Sequence, residues 1–240
     1  MTRATFLERI RKEVARAPAA AGVSTAPRPP HPEAAAEAVR RQMAERWPEA
    51  LDTFVREFER VGGIFHRVAD LAGVRPKLLE IARAHEATAL VAWDPASLGL
   101  DLAPLASDGL AVTTATSDPD DGARRRHRED SARAQIGVTG ADFVLAETGT
   151  LILLSGRGRP RVTSLLPDTH VAVFDRGRLV ESLTQVGVLL EALHVDPARS
   201  MSGAMINFIT GPSRTADIEL TLTRGVHGPK TVHAIFVEAP

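Results

Sequence analysis

Two segments of the sequence concentrate side chains that can bind a ligand or react with it. The first is Glu147-Thr148-Gly149, which lies between two apolar runs. The second covers residues 211–219 and is followed by a histidine; its candidate positions are Gly211, Ser213, Arg214, Thr215, Asp217, Glu219 and His227. Glycine lets a ligand approach the backbone, hydroxyls offer short hydrogen bonds, and arginine binds carboxylates or phosphates through two parallel hydrogen bonds. The two segments therefore predict the halves of one site for a small anionic ligand.

Each half also has a purely structural interpretation. A carboxylate between two buried strands is costly unless it has a partner or a task, and this favours a functional Glu147. The alternative is a hairpin turn that extends the Glu147 carboxylate into water. Arg214 can likewise neutralise Asp217 or Glu219 in a structural network. Both interpretations stay open, because Gly, Pro, Ser and Asp also form ordinary turns.

Most familiar catalytic signatures do not occur in the sequence. The chain has no cysteine, which excludes disulfides, zinc–thiolate sites, cysteine nucleophiles and iron–sulfur ligation by this chain. The phosphate-binding P-loop, the dinucleotide-binding glycine fingerprint and the Gly-x-Ser-x-Gly turn are also missing. The histidines lack metal-binding spacing, and the scarce aromatic residues are not interleaved with basic ones. We therefore expect no metal, no cofactor bound by this chain, no nucleic-acid partner and no independent catalytic motif.

Composition indicates an ordinary soluble protein. Of 240 residues, 44% are hydrophobic, and the formal net charge is −1, so no overall field attracts nucleic acid or anionic membranes. No apolar run is long enough to cross a membrane, and the charged N-terminus does not resemble a signal peptide. We therefore expect a cytoplasmic protein. Residues 17–32 are rich in Ala and Pro and predict a linker, so the expected domains are 1–32, a helix with a linker, and 33–240, an α/β domain.

The elements that must position these segments alternate between helices and strands. Amphipathic periodicity predicts helices at 3–16, at 33–60 with a break near Trp47-Pro48, at 75–85 and at 182–193. Acids followed by bases predict an exposed helix over 118–135, with a phosphate-binding basic patch as the alternative. Apolar runs predict strands at 64–68, 89–93, 110–114, 143–146, 151–155, 169–174, 179–180 and 204–210, and a closing hairpin of 218–223 with 231–237. Residues 137–142 are interpreted as a turn-rich entry. This alternation indicates a parallel sheet covered on both faces, with the ligand loops at the carboxyl ends of its strands.

Four ordered motifs are similar to those of a known family. They are residues 139–150 (TGADFVLAETGT), 164–167 (SLLP), 211–219 (GPSRTADIE) and 225–229 (GVHGP). Together they resemble the LutC (YkgG) branch of the LUD-domain proteins, over about residues 50–240. The resemblance implies a three-layer α/β/α fold like that of the NagB/RpiA/CoA-transferase group, preceded by a helical extension.

The resemblance also implies a role in oxidising L-lactate to pyruvate. Iron–sulfur proteins are the expected partners, and the lack of cysteine fits a non-redox subunit that binds a ligand or organises the complex. One alternative is a stand-alone enzyme of the CoA-transferase, sugar-phosphate isomerase or folate cyclo-ligase type. In that case Glu147 is the candidate nucleophile or base, by analogy with the fold. Another alternative is a regulatory module that senses a metabolite.

Overall fold

The computed structural model describes residues 3–16, 31–195, 205–216 and 222–239. The chain divides into two compact units, residues 1–30 and residues 31–240. The described part of the first unit is helix α1, Arg3–Arg16, on which Phe6 and Leu7 are exposed. This helix agrees with the one predicted at 3–16.

The described part of the second unit alternates helices and strands. Its helices are α2 (Pro32–Arg60), α3 (Val74–Ala84), α4 (Pro95–Leu98), α5 (Asp121–Arg133), α6 (Val162–Leu165) and α7 (Leu183–Val195). Its strands are β1 (Ile64–Asp70), β2 (Ala89–Ala92), β3 (Ala111–Thr114), β4 (Ile136–Gly140), β5 (Phe143–Leu145), β6 (Thr150–Leu154), β7 (Thr169–Asp175), β8 (Leu179–Val180), β9 (Ile206–Ile209), β10 (Arg214–Ala216), β11 (Leu222–Arg224) and β12 (Thr231–Ala239).

Six of these strands form a parallel sheet in the order β1-β12-β7-β4-β2-β3. Alternate residues of its central strands enter two separate cores. In β7, Ala172 and Phe174 pack with residues of α2, whereas Val171 and Val173 pack with residues of α3. Both faces of the sheet are thus covered by helices. The predicted α/β class with a parallel, doubly covered sheet is confirmed.

A second sheet joins four short strands in the order β8-β5-β6-β9. Strand β6 pairs antiparallel with β5 and with β9, and strand β8 pairs parallel with β5. Strands β10 and β11 form a separate antiparallel ribbon. Leu151 and Leu153 of β6 pack in the same core as α2, so this helix lies between the two sheets.

Helix α2 runs without a break through Pro48, so the expected break near Trp47-Pro48 is wrong. Proline removes one helical hydrogen bond, yet apolar residues on both sides of it, such as Met43 and Leu51, are buried in one core. The helix ends as predicted at two glycines. Gly63 N–H donates to Phe58 O and Gly62 N–H to Glu59 O, the pattern of a Schellman motif, in which Gly62 has a φ of 91°.

Two strand predictions in the C-terminal half are also wrong. Residues 136–140 form the inner strand β4 rather than a turn, paired with β2 on one side and β7 on the other. A Cβ at Gly137 would lie 1.8 Å from the backbone oxygen of Thr163. Glycine here permits close packing against α6. The segment 231–239 is not half of a hairpin: it inserts as β12 between β1 and β7, parallel to both. Residues 217–221 of the predicted partner strand lie outside the described residues.

Candidate functional site

The two predicted half-sites are neighbours in the structure. Strand β6 pairs with β9, which brings the residues after Glu147 beside the residues before Gly211. A chain of hydroxyl hydrogen bonds crosses this boundary: Thr148 Oγ1 to Thr150 Oγ1 measures 2.7 Å, and Thr150 Oγ1 to Thr210 Oγ1 measures 2.8 Å. The two segments therefore adjoin each other, and their joint role in ligand binding stays a prediction.

The C-terminal end of α2 lies between the two halves and contacts both. A Cβ at Gly149, whose φ is 61°, would lie 2.3 Å from the backbone nitrogen of Phe58. A Cβ at Gly211 would lie 2.7 Å from the carbonyl oxygen of Val61. Arg214 Nη2 donates to that same carbonyl oxygen over 2.6 Å. A helix end leaves carbonyl groups without partners and favours a nearby cation, so these contacts hold and cap α2.

Glu147 is exposed and its carboxylate caps another helix. Its Oε1 accepts a hydrogen bond of 2.7 Å from the backbone N–H of Leu183, the first residue of α7. Its own backbone N–H donates to the carbonyl of Glu181. Negative side chains stabilise the positive end of a helix dipole, so this geometry gives Glu147 a structural partner.

Ser213 organises the loop that contains His227. Its Oγ accepts a hydrogen bond of 3.2 Å from His227 N–H, and its backbone bonds to Gly225 and Pro229. The contact with His227 therefore uses the backbone amide and not the imidazole. Thr215 lies in β10, and Asp217 and Glu219 lie outside the described residues.

Gly211 and Arg214 lie at the amino-terminal edge of the parallel sheet. The α2 end that contacts Gly211 and Arg214 leads directly into β1, and Lys230, which precedes β12, binds Asp168, which precedes β7, through an ion pair of 2.9 Å. Ligand crevices in such sheets normally form at the carboxyl edge. For residues 211–216, the described part of this segment, the expectation that it borders that crevice is therefore wrong, because β9 and the loop after it belong outside the parallel sheet.

The carboxyl edge of the sheet contains a different cluster of polar groups. Strand β2 has β3 on one side and β4 on the other, so the strand order reverses direction between β2 and β4. A compartment of about 110 Å³ lies at this switch point. Its polar lining consists of Ser97, Asp142, Asp175, Arg159 and Arg178, and Trp93 and Phe174 are among its apolar residues.

A cavity of about 800 Å³ adjoins this compartment. Asp142, Arg159 and Arg178 line both. The apolar lining of the cavity comes largely from α2, α7 and the second sheet. Its charged lining consists of Arg40, Arg157, Arg159, Arg176, Arg178 and Asp142.

The arginines that line the cavity differ in whether an acidic side chain already binds them. Arg159 forms a 2.7 Å ion pair with Asp142, and its guanidinium lies 5.8 Å from the centre of the Trp93 ring. Arg178 reaches Asp175 only at 4.0 Å. Arg157 and Arg176 are exposed and have no carboxylate within 4.0 Å in the part of the chain that the structure describes. Both therefore keep all their guanidinium donors for a ligand.

These arginines were not among the predicted site residues. The relevant signal is that β7 belongs to the parallel sheet, so Arg176 and Arg178 directly follow its carboxyl end. Residues 156–160 follow β6, which belongs to the other sheet, and only the tertiary fold brings them to this edge.

The buried histidines are uncharged at neutral pH. Burial lowers the pKa of His170 to about 3, and its Nε2 lies 2.9 Å from Thr139 Oγ1. Burial, followed by the nearby positive charges of other histidines, lowers the pKa of His233 to about 3. His233 contacts His66 and His85 through different ring nitrogens. Across residues 3–16, 31–195, 205–216 and 222–239, no three His, Asp or Glu side chains form a group suited to a metal ion.

The profile of the LUD domain family matches residues 51–237. The chain belongs to the LUD domain family. This match includes both half-sites, and it also includes the switch-point compartment and most of the large cavity. No helix of this LUD domain protein, among the described residues, is long and apolar enough to span a membrane.

Curated relatives of this LUD domain protein include two named "Lactate utilization protein C". One, from Halalkalibacterium halodurans, is 45% identical over 111 residues, which is 46% of this chain and 47% of the relative. The other, from Anoxybacillus flavithermus, is 44% identical over 105 residues, which is 44% of each. The matched segment thus spans about half the length of each relative.

A crystal structure of a DUF162 family protein from Deinococcus radiodurans has the same fold. It aligns with a TM-score of 0.53 and 21% sequence identity, and the alignment covers 80% of this chain and 98% of the other. At this identity the likeness concerns the fold alone.

Proposed function

We propose that this protein is a non-redox subunit of a lactate-utilisation system, in which iron–sulfur partner proteins oxidise L-lactate to pyruvate. The observation that carries the proposal is the 45% identity to a protein named "Lactate utilization protein C". The family match over residues 51–237 supports it, because it covers nearly the whole α/β unit.

The composition of the chain supports a division of labour with such partners. Iron–sulfur clusters are held mainly by cysteine thiolates, and the sequence has no cysteine. Electron transfer through clusters therefore belongs to the partners. The contribution of this chain is to bind the small anion on which the system acts, or its product.

We propose that this small anion binds in the switch-point compartment. Its volume of about 110 Å³ suits a molecule of few atoms, since pockets for drug-sized ligands measure roughly 300–1,000 Å³. Arg178 can bind a carboxylate, and Asp175 can accept a hydrogen bond from a neighbouring hydroxyl. A 2-hydroxy acid offers both groups on adjacent carbon atoms, which matches the mixed Arg and Asp lining.

Gene deletion tests the pathway, and a matched pair of variants tests the compartment. A strain in which this gene is deleted and no second copy exists is expected to grow on pyruvate but not on L-lactate. Arg178→Gln is expected not to restore growth on L-lactate, whereas Arg125→Gln, an exposed arginine on α5, is expected to restore it. Normal growth of the deletion strain on L-lactate contradicts the pathway. Full rescue by Arg178→Gln contradicts the compartment alone.

A further inference from the structure

We propose that the large cavity next to the compartment is a second binding site, for an organic phosphate with an apolar body. The proposal goes beyond lactate, because it concerns a different space and a different chemical class. It rests on three properties of the cavity: its size, its arginine-rich charge and its many apolar lining residues.

The size of the cavity is far beyond what a three-carbon acid fills. Its volume of about 800 Å³ compares with about 110 Å³ for the compartment. Pockets that bury molecules of drug or cofactor size have volumes of roughly 300–1,000 Å³. The cavity therefore has room for a ligand several times larger than lactate.

The charge of the lining selects an anion with more than one negative charge. Five arginines face one aspartate, and that aspartate is already paired with Arg159. Arg157 and Arg176 lie on two separate loops, and neither has an acidic partner in the described part of the chain. A phosphate monoester carries a charge of about −1.5 to −2 and three acceptor oxygens, whereas a carboxylate carries one charge and two oxygens. Two free guanidinium groups therefore suit a phosphate better than a single carboxylate.

Much of the remaining lining is apolar. Val39, Met43 and Trp47 of α2 belong to it, as do Leu189 and Leu193 of α7, and Arg40 of α2 lines the cavity beside them. Burial of apolar ligand surface contributes about 25 cal/mol per Å², and inorganic phosphate has no such surface to bury. The ligand class that uses both the arginines and the apolar residues is an organic phosphate whose body is aromatic or aliphatic.

Calorimetric titration with 1-naphthyl phosphate tests this inference, with inorganic phosphate and 1-naphthoate as comparison ligands. We expect 1-naphthyl phosphate to bind at least about tenfold more tightly than either, because each of them lacks one of the two required features. The double variant Arg157→Gln/Arg176→Gln is expected to weaken binding of 1-naphthyl phosphate by about tenfold or more. Leu193→Gln, which replaces an apolar lining residue, is expected to weaken it several-fold.

Arg125→Gln is the control for a general loss of positive charge and is expected to leave binding unchanged. Absence of saturable binding by 1-naphthyl phosphate overturns the proposal. So does equal binding of inorganic phosphate, which indicates a simple anion patch, or unchanged binding in the double variant. Arg157 and Arg176 line only the large cavity, so these results are independent of whether L-lactate binds in the compartment.

Discussion

Replacement of Gly149 by alanine tests whether the Glu147-Thr148-Gly149 segment is shaped by its contact with α2. Gly149 has a φ of 61°, a left-handed conformation that costs an L-residue roughly 1–2 kcal/mol. An added Cβ would also lie 2.3 Å from Phe58 N, 2.5 Å from Glu57 C and 2.6 Å from Phe58 Cα. These are backbone atoms of a helix, which cannot rotate away as the end of a side chain can. Overpacking of this kind costs about 1–3 kcal/mol.

We therefore expect Gly149→Ala to lower the free energy of unfolding by about 2–5 kcal/mol. The assay is urea unfolding followed by circular dichroism, with linear extrapolation to water. Gly99→Ala is the matched control, because Gly99 has a φ of 67° but no heavy atom within 4 Å of the added Cβ. Gly99→Ala incurs the cost of the left-handed backbone conformation but causes no clash, so it should lower the free energy of unfolding by about 1–2 kcal/mol.

A second control is expected to raise the free energy of unfolding instead of lowering it. Gly187 lies inside α7 with no heavy atom within 4 Å of an added Cβ, so Gly187→Ala should stabilise the protein by about 0.5–1 kcal/mol through helix propensity. Equal losses for Gly149→Ala and Gly99→Ala would refute the reasoning, since they would mean that the helix does not restrict this position.

Two further predictions concern side chains with defined partners. Glu147→Ala should lower the free energy of unfolding by about 1 kcal/mol, because α7 loses its cap. Glu147→Gln keeps an acceptor oxygen and should lower it less. Equal losses for the two variants in urea unfolding contradict the capping role. His170 has a folded pKa of about 3, below its unfolded value, so the unfolded chain takes up the proton first and stability should fall as pH drops from about 7 to 5. His170→Gln removes this titration, so between pH 7 and pH 5 its free energy of unfolding should fall by about 1–2 kcal/mol less than that of the unaltered protein. An identical pH dependence of the two proteins contradicts a buried neutral histidine.

The sequence predicted the elements well where one local signal decided them. The end of α2 follows from two consecutive glycines after an apolar helical face. Helix α5 follows from acids before bases, and its Asp120 side chain accepts a hydrogen bond from Ala123 N–H as an N-cap. Such features depend on neighbours within a few residues.

Predictions failed where a distant contact decided the structure. The sequence predicts Gly137 to be a turn residue. In the structure it lies in a strand, and the backbone oxygen of Thr163 occupies the space that a Cβ at this position would need. Strand β12 pairs with β1, which lies more than half the chain away, and no local pattern distinguishes this from a hairpin. The two predicted half-sites are neighbours because β6 pairs with β9, but the contacts that α2 makes with both of them became visible only in the fold.

The arginine lining of the cavity has a chemical consequence for carbonyl compounds. A lysine amine can condense with the carbonyl of a 2-oxo acid to form a Schiff base, whereas a guanidinium stays protonated and is not nucleophilic. The sequence contains only Lys12, Lys77 and Lys230, and none of them lines the cavity or the compartment. A carbonyl compound in either space therefore meets no lysine amine with which to condense, so its release requires no hydrolysis of a Schiff base.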